Sequence, residues 1–194
     1  LSPELSALQT KIDAGTAHIG IYGLGYVGLP LALRFAEVGL KVTGFDIDSA
    51  KVQQLNAGES YIERLQPAVI QRAQSHGFEA TTDFSLSKEV DAIIICVPTP
   101  LNRYREPDLS YIIATIESAL PHMRAGQLVS LESTTWPGTT EEVLAPRLRA
   151  RGLVPGENCA LVFSPEREDP GNPRYGTKDI PKICRRPRIS APIQ

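Results

Sequence analysis

The sequence predicts an α/β fold of the Rossmann type, a doubly wound parallel sheet in a single domain with an irregular C-terminal tail. Short apolar runs alternate with segments of helical periodicity from residue 17 to residue 170, which is typical of a parallel sheet covered by helices. Three glycines, Gly23, Gly25 and Gly28, follow the first apolar run with the spacing G-x-G-x-x-G. Within residues 91–97, a continuous apolar run follows Asp91, as expected for a central strand buried on both faces.

Taken in order, the elements fall into three segments. Residues 1–16 are predicted to carry an amphipathic helix over 3–14, and residues 17–170 form the predicted Rossmann domain. Strands are expected at 19–22, 41–46, 78–82, 91–97, 127–132 and 160–163, and helices at 28 onward, 48–58, 66–76, 110–122 and 139–151. Asp108 or Ser110 is the expected cap of the helix at 110–122. Residues 171–194, rich in proline and arginine, have no helix or strand period and are predicted to be irregular.

Composition limits the partners and the compartment. The 194-residue chain is 42% hydrophobic and has a net charge of −2, so it has a sizeable core and no general attraction to nucleic acid or anionic membranes. It has no apolar run long enough to span a membrane, and its N-terminus does not resemble a signal peptide. Cys96, Cys159 and Cys184 fit neither a disulfide framework nor a zinc site. We therefore expect a cytoplasmic protein that binds no metal, nucleic acid or membrane.

The glycine motif predicts a dinucleotide site. Gly23 would make the turn, Gly25 would let the backbone approach a pyrophosphate, and Gly28 would let the helix pack closely on the strand. The intervening Tyr26 and Val27 would then lie beside the cofactor, and the positive start of the helix would hold its phosphates. The alternative is a structural glycine turn without a ligand.

An acid at the end of the second predicted strand indicates which dinucleotide binds. Asp46 lies eighteen residues after Gly28, close to the spacing expected for a carboxylate on the adenine ribose. It would repel a 2′-phosphate and no arginine follows it directly, so NAD is favoured over NADP. Asp46 could instead be a helix cap or turn residue. Lys51, one turn into the next helix, could reach the ribose or pyrophosphate, or could be a solvated surface lysine.

Polar residues follow three later strands. In an open α/β sheet, ligands bind outside the carboxyl ends of the strands, so residues 98–100, 133–140 and 164–169 are expected to share one crevice. Pro98 and Thr99 are thus placed to contact the cofactor, although Thr99 could simply make a local contact in a proline turn.

Four motifs together resemble those of the UDP-glucose/GDP-mannose dehydrogenase family: the glycine motif at 23–30, Cys-Val-Pro-Thr-Pro at 96–100, Glu-Ser-Thr-Thr-Trp-Pro-Gly-Thr-Thr at 132–140 and Ser-Pro-Glu-Arg at 164–167. They occur in the family's order. The resemblance extends over residues 15–183, which correspond to the family's N-terminal NAD-binding domain. The motifs at 132–140 and 164–167 are most similar to those of the family's bacterial UDP-N-acetylglucosamine 6-dehydrogenases.

The resemblance implies an activity and two catalytic residues. The family oxidises the C6 alcohol of a nucleotide sugar, here a UDP-sugar, to a carboxylate with two NAD, through a cysteine thiohemiacetal and thioester. By motif position, Thr134 would contact the cofactor and help to hold the catalytic water, and Glu166 would act on that water as a base. Without the resemblance, Glu166 would be interpreted first as a surface acid in a turn rich in charged residues. The resemblance also implies a homodimer, which the residues themselves do not indicate.

The chain departs from the family after Ile183. The family continues into a second α/β domain with a catalytic lysine, an asparagine and the nucleophilic cysteine, and none of these motifs occurs here. None of the three cysteines matches the nucleophile. We therefore expect a truncated or frame-shifted product that binds NAD but is inactive alone. Two alternatives stay open, a hydroxyacid-type dehydrogenase and a non-catalytic NAD-binding or interaction module.

Overall fold

One parallel sheet forms the centre of the computed structural model, which describes residues 1–165. Within these residues, the sheet has six strands, β1 (Ile19–Tyr22), β2 (Val42–Phe45), β3 (Phe78–Thr81), β4 (Ala92–Ile95), β5 (Leu128–Leu131) and β6 (Ala160–Phe163). They are all parallel and lie in the order β3-β2-β1-β4-β5-β6. Every residue of β1, β2 and β4 is buried, which explains the continuous apolar run in β4. The predicted doubly wound α/β fold is confirmed.

Six α-helices cover the sheet in the described part of the chain: α1 (Pro3–Asp13), α2 (Gly28–Glu37), α3 (Ser49–Asn56), α4 (Pro67–Ser75), α5 (Ser110–Ala119) and α6 (Ala145–Ala150). Short 3₁₀ helices span Phe84–Lys88 and Leu120–His122, and a π-helix, Thr140–Leu144, leads into α6. The predicted cap of α5 was wrong. Leu109 occupies the cap position. The Asp108 side chain, which precedes it, accepts a hydrogen bond from the backbone N–H of Ser110, the first residue of the helix.

The helices bury two separate apolar layers. α2 and α4 contribute Leu29, Ala32 and Ile70 to the layer on one face of the sheet. α5 and α6 contribute Ile112, Ile116 and Leu148 to the layer on the other face. The chain turns back across the sheet between β3 and β4, so the strand order reverses between β1 and β4. This reversal is the point at which an open α/β sheet forms a crevice.

A buried carboxylate joins the helix α1 to the amino edge of the sheet. Asp91 Oδ1 accepts hydrogen bonds from Lys11 Nζ at 2.7 Å and from Arg124 Nη2 at 2.8 Å, and its Oδ2 accepts one from the His18 backbone N–H at 3.0 Å. Burial opposes the ionisation of Asp91, but these three donors outweigh it and hold the pKa of the carboxyl below its usual range. Leu5 and Leu8 of α1 are also buried. The predicted N-terminal helix is therefore present and docked.

Two further predictions concern membrane-spanning helices and the C-terminal tail. No helix among residues 1–165 has both the length and the apolar character needed to cross a membrane. The tail at 171–194 lies outside the described residues, and the boundaries placed at 16/17 and 170/171 stay predictions.

Candidate functional site

A crevice of about 720 Å³ opens at the carboxyl edge of the sheet, where the strand order reverses. Its size lies in the range of small-molecule and cofactor sites. Except for Gly28, every predicted cofactor residue lines it: Gly23, Gly25, Tyr26, Val27, Asp46, Lys51, Pro98, Thr99 and Thr134. The structure therefore brings together residues that are up to 111 positions apart in the sequence.

The three glycines of the motif have distinct structural roles. Gly23 has a φ of +93°, a conformation that side chains rarely adopt, so it makes the turn as predicted. A Cβ on Gly28 would lie 1.9 Å from the Gly23 carbonyl oxygen, so glycine permits the close approach of α2 to β1. Gly25 lines the crevice, and a Cβ on it would meet no atom within 4 Å. Gly25 thus leaves open the space that an anionic ligand needs.

The start of α2 is suited to an anion. Val27 precedes the helix and makes no side-chain hydrogen bond to it, and no acidic residue occurs in its first turn. The positive end of the helix dipole therefore lies next to Gly25, Tyr26 and Val27, which line the crevice, without a competing carboxylate in the first turn.

Asp46 has a structural role as well as a place in the crevice. Its carboxylate is buried, and it accepts hydrogen bonds from the backbone N–H of Leu24 at 2.8 Å and of Asp48 at 3.0 Å. The turn interpretation of Asp46 was therefore correct in part, while the cap of α3 is Asp48. A carboxylate can accept about four hydrogen bonds, so these two contacts leave capacity for ribose hydroxyls.

Tyr61 connects Lys51 to the glycine turn, and the sequence did not identify it. The Lys51 Nζ lies 5.6 Å from the centroid of the Tyr61 ring. The Tyr61 hydroxyl donates a hydrogen bond to the carbonyl of Leu24, the residue between Gly23 and Gly25. Tyr61 belongs to no motif and is 37 residues from Leu24, so only the folded chain shows the contact.

The ends of β4 and β5 meet in the crevice, as the sequence predicted. Thr99 Oγ1 donates a hydrogen bond to the Thr134 carbonyl oxygen at 2.7 Å, and Ser133 Oγ donates one to the Val97 carbonyl at 2.6 Å. The Thr134 side chain is exposed at the crevice. The hydroxyl contact of Thr99 is not local, as the proline-turn alternative assumed, because it joins the segments that follow β4 and β5.

The turn that follows β5 carries two unusual side chains. The hydroxyl of Thr135 is buried and has no hydrogen-bond partner among the described residues. The neighbouring Trp136, the single tryptophan of the chain, is 40% exposed. A buried hydroxyl without a partner beside Thr134 is a group that a bound ligand or water could satisfy.

Aromatic and small side chains form the inner wall of the crevice, which the sequence did not reveal. The rings of Tyr22 and Phe45 stack with centroids 4.3 Å apart, and Phe84 packs against both. Burial raises the pKa of Tyr22, whose hydroxyl donates to Ser87 Oγ at 2.8 Å. The facing wall comes from α5, with Tyr111, Ala114, Thr115 and Ser118. These side chains give a mainly apolar slot, in the same crevice as Asp46, that suits a planar base.

The remaining candidate residues do not form a nucleophile or metal site in the described part of the chain. Cys96 is buried at the crevice, and Cys159 is fully buried, where desolvation raises the pKa of its thiol to about 11. Residues 1–165 contain no group of three His, Cys, Asp or Glu side chains that could hold a metal ion. Glu166 and Cys184 lie outside the described residues. The arrangement up to residue 165 therefore fits a dinucleotide, and the raised pKa of Cys159 disfavours a thiolate there.

Comparison with known proteins supports this arrangement. The model of the UDP-glucose/GDP-mannose dehydrogenase family, NAD binding domain, matches residues 17–184. The UDP-N-acetyl-D-glucosamine 6-dehydrogenase of Salmonella typhi is 36% identical over 85% of this chain and 38% of its own length. The UDP-N-acetyl-D-mannosamine dehydrogenase of the same organism is 40% identical over 79% of this chain and 38% of its own length.

A solved structure is also similar to this chain in its fold. The UDP-N-acetyl-mannosamine dehydrogenase of Staphylococcus aureus superposes with a TM-score of 0.74 at 34% identity, over 80% of this chain and 38% of that one. The chain thus spans under two fifths of the length of these relatives.

Proposed function

The chain belongs to the UDP-glucose/GDP-mannose dehydrogenase family and carries its NAD-binding domain, and from this we propose that it is the cofactor-binding part of an enzyme that oxidises the C6 alcohol of UDP-N-acetylglucosamine to the uronic acid. The observation that carries the proposal is the crevice at the strand reversal, in which the glycine turn, Asp46, Thr99 and Thr134 lie together. Relatives named for UDP-N-acetylglucosamine and for UDP-N-acetylmannosamine both match. The choice of the first sugar rests on the form of the motifs at 132–140 and 164–167.

The residues of the described chain would bind NAD along the crevice. Gly25 and the start of α2 would hold the pyrophosphate, and the Asp46 carboxylate would accept hydrogen bonds from the adenine ribose. Lys51 would add positive charge at this end. The adenine would enter the slot between the aromatic wall and α5. NAD supplies the acceptor for the hydride that leaves C6 of the sugar.

The other end of the crevice would hold the nicotinamide and the reacting water. Thr99 and Thr134 are joined by a hydrogen bond, so their positions relative to each other are fixed before a ligand binds. Thr134 would contact the cofactor and help to hold the catalytic water. Glu166, assigned by motif position alone, would act as the base on that water.

We also propose that a polypeptide of only these 194 residues binds NAD without oxidising a UDP-sugar. The aligned part corresponds to under two fifths of the relatives, and the burial of Cys159 disfavours a thiolate there. A cytoplasmic location and the absence of a nucleic-acid partner stay predictions of the sequence, and a homodimer stays an implication of the resemblance.

Calorimetric titration of the 194-residue chain tests the proposal. We expect saturable binding of NAD, weaker binding of NADP, and no NADH formation with UDP-N-acetylglucosamine or UDP-N-acetylmannosamine. Absence of NAD binding would contradict the cofactor assignment, and NADH formation would contradict the proposed inactivity.

A chimera addresses the enzymatic role. Residues 17–165 would replace the aligned segment of the Salmonella typhi UDP-N-acetyl-D-glucosamine 6-dehydrogenase. We expect two NADH for each UDP-N-acetylglucosamine consumed, and a matched chimera with Gly25→Val should lose this activity. A folded chimera that binds NAD but never forms NADH would argue against the dehydrogenase role.

A further inference from the structure

The peptide of Leu24, between the first two glycines, is held from both sides. Its N–H donates to Asp46 Oδ2 at 2.8 Å, and its carbonyl accepts a hydrogen bond from the Tyr61 hydroxyl. Its side chain is fully buried against β2, where a Cβ on Gly44 would lie 2.7 Å from Leu24 Cδ2. The orientation of the turn therefore depends on two side chains from outside the glycine motif.

Tyr61 is itself well fixed. It lies in the connection between α3 and α4, where Ser60 Oγ donates to the Ile62 carbonyl at 3.0 Å and accepts from the Ile62 N–H at 3.1 Å. The next side chain, Ile62, is buried in the core layer of α2 and α4. The Tyr61 ring is half-buried and also lies under the Lys51 ammonium group. One side chain thus contacts both the glycine turn and the lysine at the same end of the crevice.

The hydroxyl of Tyr61 is suited to be a permanent donor. Burial raises its pKa, and the nearby carboxylates of Asp46 and Asp48 raise it further. The group therefore stays protonated at neutral pH and keeps its hydrogen on the Leu24 carbonyl. A carbonyl oxygen that turned toward the crevice would repel a diphosphate, so its attachment to Tyr61 matters for an anionic ligand.

We propose that Tyr61 is a positioning residue of the cofactor site, which orients the Leu24 peptide so that the backbone at Gly25 receives the pyrophosphate, and which places the Lys51 ammonium beside it. This inference rests on the proposed function, because it assumes that the crevice binds NAD. It adds a residue outside the glycine motif and outside the strand ends to the residues that determine NAD affinity.

The test is the substitution Tyr61→Phe in the 194-residue chain, which removes the hydroxyl and keeps the ring over which Lys51 lies. The affinities of ADP and adenosine are measured by calorimetry, since only ADP has a diphosphate. We expect ADP and NAD to bind about threefold to tenfold more weakly, as for the loss of one hydrogen bond, while adenosine binds as in the wild type. The ratio of the two affinities is the readout, because a smaller folded fraction would affect both ligands equally.

Tyr104→Phe is the matched control, since Tyr104 is 66% exposed and its ring contacts Arg103. It should leave the ADP-to-adenosine ratio unchanged. An unchanged ratio in Tyr61→Phe, or an equal loss for both ligands, would overturn the role of Tyr61. Failure of the wild-type chain to bind NAD at all would instead overturn the proposed function.

Discussion

Two glycine substitutions separate the folding role of the motif from its binding role. In Gly28→Ala, the new Cβ would lie 1.9 Å from the Gly23 carbonyl oxygen and 3.2 Å from the Cys96 Cβ. In Gly25→Ala, the new Cβ would meet no atom within 4 Å. The same methyl group is therefore added three residues apart, once into packed backbone and once into open space at a residue that lines the crevice.

The expected magnitudes follow from these distances. A carbon and a carbonyl oxygen approach no closer than about 3.3 Å, so α2 would have to move about 1.4 Å away from β1 in Gly28→Ala. Overpacking of this kind typically costs about 3 kcal/mol when backbone must shift, which lowers the unfolding midpoint of a domain of this size by about 6–12 °C. Gly25→Ala should change the midpoint by about 2 °C or less but weaken NAD binding about tenfold or more, since the methyl group occupies the space beside the helix start.

Thermal unfolding and calorimetric titration on both variants and the wild type provide the assay, and each variant is the control for the other. A Gly28→Ala chain with the wild-type midpoint would refute the close approach of α2 to β1. Wild-type NAD affinity in a folded Gly25→Ala chain would refute the position of the pyrophosphate.

Substitutions of two carboxylates give further predictions, Asp91 for stability and Asp46 for cofactor binding. Asp91→Asn should lower the free energy of unfolding at pH 7 by about 2–3 kcal/mol, because Lys11 and Arg124 lose their buried partner. The folded-state pKa of Asp91 is lowered, so its contribution is present above the unfolded-state pKa of about 3.9 and is lost as the pH falls through the folded-state value. Urea unfolding from pH 7 to pH 3 should show the two proteins converging, and a constant difference would contradict this assignment. Asp46→Ser should weaken NAD binding about tenfold and raise the ratio of NADP to NAD affinity, with some loss of stability because two backbone N–H groups lose their acceptor. An unchanged ratio in titrations with both cofactors would show that Asp46 does not face the ribose.

The sequence predicted the elements because most of them follow local rules. Continuous apolar runs indicated the buried strands, Asp48 capped α3, and Gly23 and Gly28 are required by a turn and a contact a few residues away. The meeting of Thr99 with the turn after β5 was also predictable, since the carboxyl ends of parallel strands share one edge.

The features that the sequence did not indicate depend on contacts between distant segments. Tyr61 reaches Leu24 across 37 residues, and Lys11 reaches Asp91 across 80. The wall of the crevice from α5 combines Tyr111 with the small side chains of Ala114, Thr115 and Ser118, at positions that resemble any solvated helix face. The π-helix at Thr140–Leu144 has no periodicity of its own in so short a segment. The prediction for Glu166 is untested, since that residue lies outside the described part of the chain.

The position of Trp136 makes ligand binding observable without a label. As the single tryptophan, it is the source of all indole fluorescence from the chain, and it lies two residues along the chain from Thr134, which lines the crevice. With 40% of its surface in contact with solvent, its emission should respond to a change in the polarity of this turn. A reduced nicotinamide bound nearby would also accept its excitation energy. Each titration of the glycine, tyrosine and carboxylate variants can therefore be read from the intrinsic emission of one residue.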